Sequence, residues 1–154
     1  MSAHTSIHVH ADRSQRADTT TVEGVMHRGV LSCRPETPIA EVARMMVANR
    51  VHAVVVDGIR RDRGGMEHLV WGVVSDLDLV GRLDVADARA LTAGDMSATP
   101  AVVVAPEDAV SEAARLMHDY DVHHLLVVDP GSRRPVGVVS TLDIAETIAL
   151  DAGR

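Results

Sequence analysis

The sequence predicts an α+β fold of two β-α-β-β-α repeats, packed sheet to sheet with pseudo-twofold symmetry. Three observations lead there. The chain matches itself at a fixed offset. Apolar runs of strand length alternate with amphipathic stretches of helix length. Each copy alone is too short to enclose a generous core.

At an offset of 71 positions, Glu36 falls on Glu107, Glu41 on Glu112, Ala43 on Ala114 and Arg44 on Arg115. Met46 falls on Met117, Val51 on Val122 and His52 on His123. After a loop the register changes, and Gly72-Val73-Val74-Ser75 meets Gly137-Val138-Val139-Ser140. Leu77 and Asp78 then meet Leu142 and Asp143. One further extra residue is placed between Met96 and Glu107, which sets Met26 against Met96.

Each copy opens with a short strand, Gly29–Cys33 or Ala101–Val104. An amphipathic helix follows. Ile39, Val42, Ala43, Met46 and Val47 form its core face in copy one, and Val110, Ala113, Ala114 and Met117 in copy two. Next comes a strand, Val51–Val56 or Val122–Val128, then a turn-rich loop. A second strand follows, Val70–Val74 or Pro135–Val139, and a second helix opens at Ser75 or Ser140. The strands are nearly continuous Val and Leu, the composition of strands covered on both faces. The expected layout is a flexible N-terminal tail at 1–21, repeat one at 22–84, a linker at 85–93, repeat two at 94–150 and a tail at 151–154.

Composition narrows the function. Trp71 and Tyr120 are the only aromatics, so stacking platforms for single-stranded nucleic acid are excluded. The net charge of -7 opposes broad attraction to nucleic acid or anionic membrane. Cys33 stands alone, so it has no intrachain disulfide partner. No apolar run approaches the roughly 20 residues of a membrane span. A cytoplasmic protein is expected.

The paired strings PIAEVARMM…RVHAVVVD…GVVSDLD and DAVSEAARLM…DVHHLLVVD…GVVSTLD resemble two cystathionine-beta-synthase (CBS) motifs in tandem, a Bateman module. The resemblance covers roughly residues 22–150. It implies a stand-alone regulatory module, not an enzyme, that binds AMP, ADP, ATP or S-adenosylmethionine in clefts between the repeats. That ligand is regulatory, and no catalytic cofactor or metal is implied. It also implies a homodimer, built mainly by helices near Ile39–Asn49, Leu77–Leu83, Val110–Asp119 and Leu142–Leu150, and a regulated partner protein.

Ser75 with Asp78, and Ser140 with Asp143, have the spacing of a helix capping box. Two adjacent carboxylate oxygens also suit the two hydroxyls of a ribose, and the resemblance supports this role. An antiparallel hairpin brings His52 near Ser75 and His123 near Ser140. The resemblance makes both histidines phosphate contacts, with His124 beside them. It also builds each cleft from both repeats. One cleft takes Met26, Leu31, Val51, His52 and Ala53 with Ser140 and Asp143. The other takes Met96, Ala101, Val122, His123 and His124 with Ser75 and Asp78. Arg60, Arg61, Arg63, Arg133 and Arg134 are expected in solvated hairpin loops, and His4, His8 and His10 in a tail without a closed metal site. The alternative function is a structural or adaptor protein with empty clefts. No nucleophile, base and orienting group stand at spacings that point to an enzyme.

Overall fold

A computed structural model describes residues 20–81, 90–97 and 101–153. The expected tail and its histidines, and most of the expected linker, lie outside these residues. The described chain forms two compact units that do not follow chain order. One, the continuous unit, is Val30–Ala101. The other, the discontinuous unit, joins the described residues up to Gly29 with those from Val102 onward. Each combines a sheet with helices, as the α+β reading expects.

The continuous unit contains β2 (Ser32–Cys33), α2 (Ile39–Asn49), β3 (Ala53–Arg61), β4 (Glu67–Ser75), α3 (Asp76–Val80) and α4 (Ala93–Met96). The discontinuous unit contains α1 (Val22–Val25), β1 (His27–Arg28), β5 (Val103–Val104), α5 (Val110–Tyr120), β6 (His124–Val128), β7 (Pro135–Ser140) and α6 (Thr141–Ala152). The sheets have the orders β2-β3-β4 and β1-β7-β6-β5. In both, a short parallel strand is joined to a hairpin through a helix, as parallel pairing requires a crossover.

The long helices bury the same face. Ile39, Val42 and Met46 in α2 match Val110, Ala113 and Met117 in α5, each 71 positions on. Both helices end in a left-handed residue, Arg50 at φ 52° and Asp121 at φ 51°. Val47 does not belong to the core face, since it is 80% exposed. At about 100° per residue it has rotated off the stripe centred near Ile39 and Met46. His118 stands at the corresponding place in α5 and is also exposed.

The first hairpin is longer than the apolar runs indicate. β3 and β4 pair from Ala53 with Ser75 out to Arg61 with Glu67, so Arg60 and Arg61 are strand residues. Ladder hydrogen bonds carry the strands past the point where burial ends. The turn is held by Asp62 Oδ1, which accepts from Gly64 N at 2.8 Å and Met66 N at 3.0 Å. The first strand of each copy is shorter than expected, two residues in each case.

The exchange of segments between copies rests on reciprocal backbone bonds. Val22 N donates to Asp108 O at 2.8 Å, Glu23 N to Pro106 O at 2.9 Å, and Val110 N returns to Thr20 O at 2.9 Å. In the other unit Ala93 N donates to Thr37 O at 2.8 Å, Gly94 N to Pro35 O at 2.8 Å, and Ile39 N to Leu91 O at 3.0 Å. Thr21 and Thr92 are 71 apart, as are Leu31 and Val102. The offset is therefore the same on both sides of the second copy's first strand, and the extra residue expected there is not needed. Val25, rather than Met26, corresponds to Met96. Val22 and Ala93 are fully buried at the centre of these docks. Burying the Val22 side chain is worth about 1.5 kcal/mol.

β1 lies so close to β7 that Gly137 has no room for a side chain. A Cβ there would stand 2.5 Å from His27 O and 2.9 Å from Met26 Sδ. Gly137→Ala should push β1 off the sheet and cost about 1–3 kcal/mol, the usual range for overpacking. Urea unfolding measures it, and a loss below about 0.5 kcal/mol would contradict the close approach.

Candidate functional site

Each unit carries the same strand-to-helix junction. In the continuous unit Ala53 pairs with Ser75 across the hairpin, and Asp76 N donates to His52 O at 2.9 Å. In the discontinuous unit His124 pairs with Ser140, and Thr141 N donates to His123 O at 3.0 Å. His52 and His123 therefore stand at the same sheet end as the serines, where the hairpin argument puts them.

Both junctions are complete capping boxes with one geometry. Asp78 Oδ2 accepts from Ser75 N at 2.7 Å and from Ser75 Oγ at 3.0 Å, while Asp78 N donates to Ser75 Oγ at 3.3 Å. The Ser140–Asp143 box repeats all three distances. A third box, Thr92 with Asp95, caps α4. There the backbone and hydroxyl of Thr92 hold the Asp95 carboxyl below its usual range. Capping is thus a real task of these aspartates, and it uses Oδ2, leaving Oδ1 as the second acceptor.

The two junctions differ in their surroundings. Asp143 is 4% exposed, and His27 Nε2 lies 3.0 Å from its Oδ1. Asp78 is half-buried. Thr141 opens α6, whereas Asp76 opens α3 and places its Oδ2 2.8 Å from His52 Nδ1. Asp76 Oδ1 also accepts from Leu77 N at 2.9 Å. A carboxylate of the protein itself, not an open face, therefore adjoins His52 Nδ1. His27 and Asp76 were not among the expected site residues. The signal for Asp76 was its standing against Thr141 in otherwise matching Ser-x-Leu-Asp strings. The signal for His27 was its place directly after Met26.

The remaining expected residues sort by unit. Leu31, Val51, His52, Ala53, Met96 and Ala101 lie in the continuous unit with Ser75 and Asp78. Met26, Val122, His123 and His124 lie in the discontinuous unit with Ser140 and Asp143. Met96 belongs to the buried core cluster, against which Leu31 and Val51 pack. Met26 and Val122 pack partly buried on the other core. Ala101 N donates to Trp71 O at 2.8 Å. His123 is exposed and His124 half-buried. Cys33 is buried, and burial raises its thiol pKa above the ordinary value.

In the discontinuous unit the order of contacts is Ser140, Asp143, His27, with the carboxylate in the middle. A nucleophile needs the imidazole in the middle, so no base is set against the Ser140 hydroxyl by this arrangement. Among the described residues no group of His, Cys, Asp or Glu is gathered for a metal ion, and no helix is long and apolar enough to cross a membrane.

The CBS domain model matches residues 22–85 and again 93–150. The chain belongs to the CBS-domain family. The uncharacterized protein MJ1404 of Methanocaldococcus jannaschii is 27% identical over 155 residues, covering 90% of this chain and 34% of that protein. The chain thus spans about a third of the length of that relative. The CBS domain pair of protein MJ0100, solved with 5′-methylthioadenosine and S-adenosyl-L-methionine, superposes with a TM-score of 0.70. It is 20% identical, and the match covers 86% of this chain and 98% of that one. The CBS domain of a bacterial CNNM/CorC family Mg2+ transporter, solved with ATP, gives 0.70 at 20% identity, covering 90% and 94%. A hexameric CBS-CP12 protein from bloom-forming cyanobacteria gives 0.70 at 23% identity, covering 82% and 69%. These likenesses establish the fold of a tandem CBS pair.

The difference in burial predicts unequal stability losses. Asp78→Ala removes a cap from a half-buried site and should cost about 1 kcal/mol. Asp143→Ala leaves Ser140 N and Ser140 Oγ without their acceptor around a buried position, and should cost about 2–3 kcal/mol. Denaturant melts of both variants decide it, and equal losses would mean that burial of Asp143 adds nothing.

Proposed function

We propose that this CBS pair is a regulatory module of the cytoplasm that binds an adenosine-containing ligand and transmits its presence to a partner protein. The observation that carries the reading is the twice-built Ser-x-x-Asp junction, with a histidine at the adjoining strand start. Capping occupies one oxygen of each carboxylate. The second oxygen and the neighbouring backbone suit a ribose diol, which offers two donors side by side. His123 and His124, beside the α6 N-terminus, suit a phosphate or another anionic group on the ligand. The ligands solved with the MJ0100 pair and the CNNM/CorC domain make ATP, S-adenosylmethionine and methylthioadenosine the first compounds to test.

Thermal melting against ATP, ADP, AMP, S-adenosylmethionine and methylthioadenosine tests the proposal. A ligand at 100 times its dissociation constant should add about 2.7 kcal/mol of stability. Asp78→Ala should weaken the responding ligand by about ten- to a hundredfold. No shift with any compound at millimolar concentration would favour an adaptor that works through protein contacts alone.

The exposed apolar residues support self-association as part of the same function. Val47, Leu77, Val80, Tyr120, Leu142, Ile148 and Leu150 are each more than half exposed, all of them on helices. The proposed homodimer covers these helices with a second copy. Light scattering at tens of micromolar should give twice the chain mass, about 33 kDa from the 16.5 kDa chain (2 × 16.5). A monomer would refute it.

A further inference from the structure

We propose that His27 closes the Asp143 carboxylate, so that Asp78 takes ligand first and Asp143 takes it only in competition with His27. The inference rests on the adenosine-ligand reading and assigns its two carboxylates unequal roles. Asp143 Oδ2 is spent on Ser140 N and Oγ, and Oδ1 on His27 Nε2. A ribose hydroxyl reaching Oδ1 must enter where the imidazole N–H lies. Ligand and His27 therefore compete for the same oxygen. The closure is reversible because it is made by a side chain alone. β1 is held by its pairing of His27 with Val138 and Arg28 with Gly137, and by Gly29 N donating to Val136 O at 2.8 Å. The His27 side chain is nonetheless 77% exposed and can rotate outward without moving the strand.

Asp78 has the same capping distances as Asp143 but is half-buried rather than buried. The residue 71 positions after His27 is Ala98, whose side chain has no hydrogen-bonding group. The matching position of the other copy thus carries no imidazole.

Calorimetry with 5′-methylthioadenosine and with AMP tests this on the full chain. Asp78→Ala should weaken the tighter event about ten- to a hundredfold and leave only weak residual binding. Adding His27→Ala to that background should strengthen the residual binding about tenfold, the loss of one competing hydrogen bond. His27→Gln, which keeps an N–H donor, should leave it weak. His27→Val, which has no donor and a shorter side chain than the imidazole, gives the same reading as His27→Ala, should the latter fold poorly in a thermal melt. Residual binding that neither His27→Ala nor His27→Val strengthens overturns the closure while leaving the ligand reading intact. Failure of both probes to bind wild type and every variant, together with no melting shift from ATP, ADP or S-adenosylmethionine, overturns the ligand reading and the closure together.

Discussion

The fold depends on how two four-residue helices satisfy their first amides. α1 and α4 are too short to persist alone, because nucleating a helix fixes several residues for one hydrogen bond. Each is held by carbonyls of the loop that precedes a long helix: Asp108 and Pro106 for α1, Thr37 and Pro35 for α4. The amides that donate to them, of Val22, Glu23, Ala93 and Gly94, are groups that a helix start leaves without an internal partner. In both docks the short helix comes from the end of the chain segment preceding one sequence copy and settles on the other. The sheet order β1-β7-β6-β5, with the first strand of the described residues at its edge, follows from that dock.

The parts legible in the sequence are those whose pattern is local. Ile39, Val42 and Met46 repeat at helical spacing, and Ser75 and Ser140 announce helix starts by chemistry that acts over three residues. Val47 shows where local pattern misleads, since an apolar residue at the rim of the stripe reads like a core residue. Its counterpart His118 carried the warning. The ends of β3 and β4 were hidden for another reason, because Arg60, Arg61 and Glu67 pair through backbone that composition does not reveal. The exchange of α1 and α4 left the least trace. A four-residue helix and a two-residue strand have no period to detect, and only the match of Thr21 with Thr92 hints at them.

The candidate site divides in the same way. The boxes around Asp78 and Asp143 are copies down to their distances, because capping is decided within four residues. Their difference comes from afar. His27 is more than a hundred positions from Asp143 along the chain, and β1 brings them together. Asp76, by contrast, is a local substitution that alters the charge at one helix start and engages His52. Duplication supplied two equal frames, and single residues then made them chemically distinct.

The interleaved construction also imposes an order on synthesis. Val30–Ala101 is contiguous, so that unit holds all its described contacts once Ala101 has emerged. The segment from Thr20 to Gly29 leaves the ribosome earlier, yet its carbonyl and apolar partners begin only at Val102. At about 5–20 residues per second it waits several seconds with Val22, Val25 and Met26 uncovered. Val22 is among the apolar side chains that end most deeply buried. During that interval it is open to chaperones or to the same loop on a neighbouring nascent chain. The exchange that unites the two copies within one molecule is therefore also the step at which two molecules can trade segments.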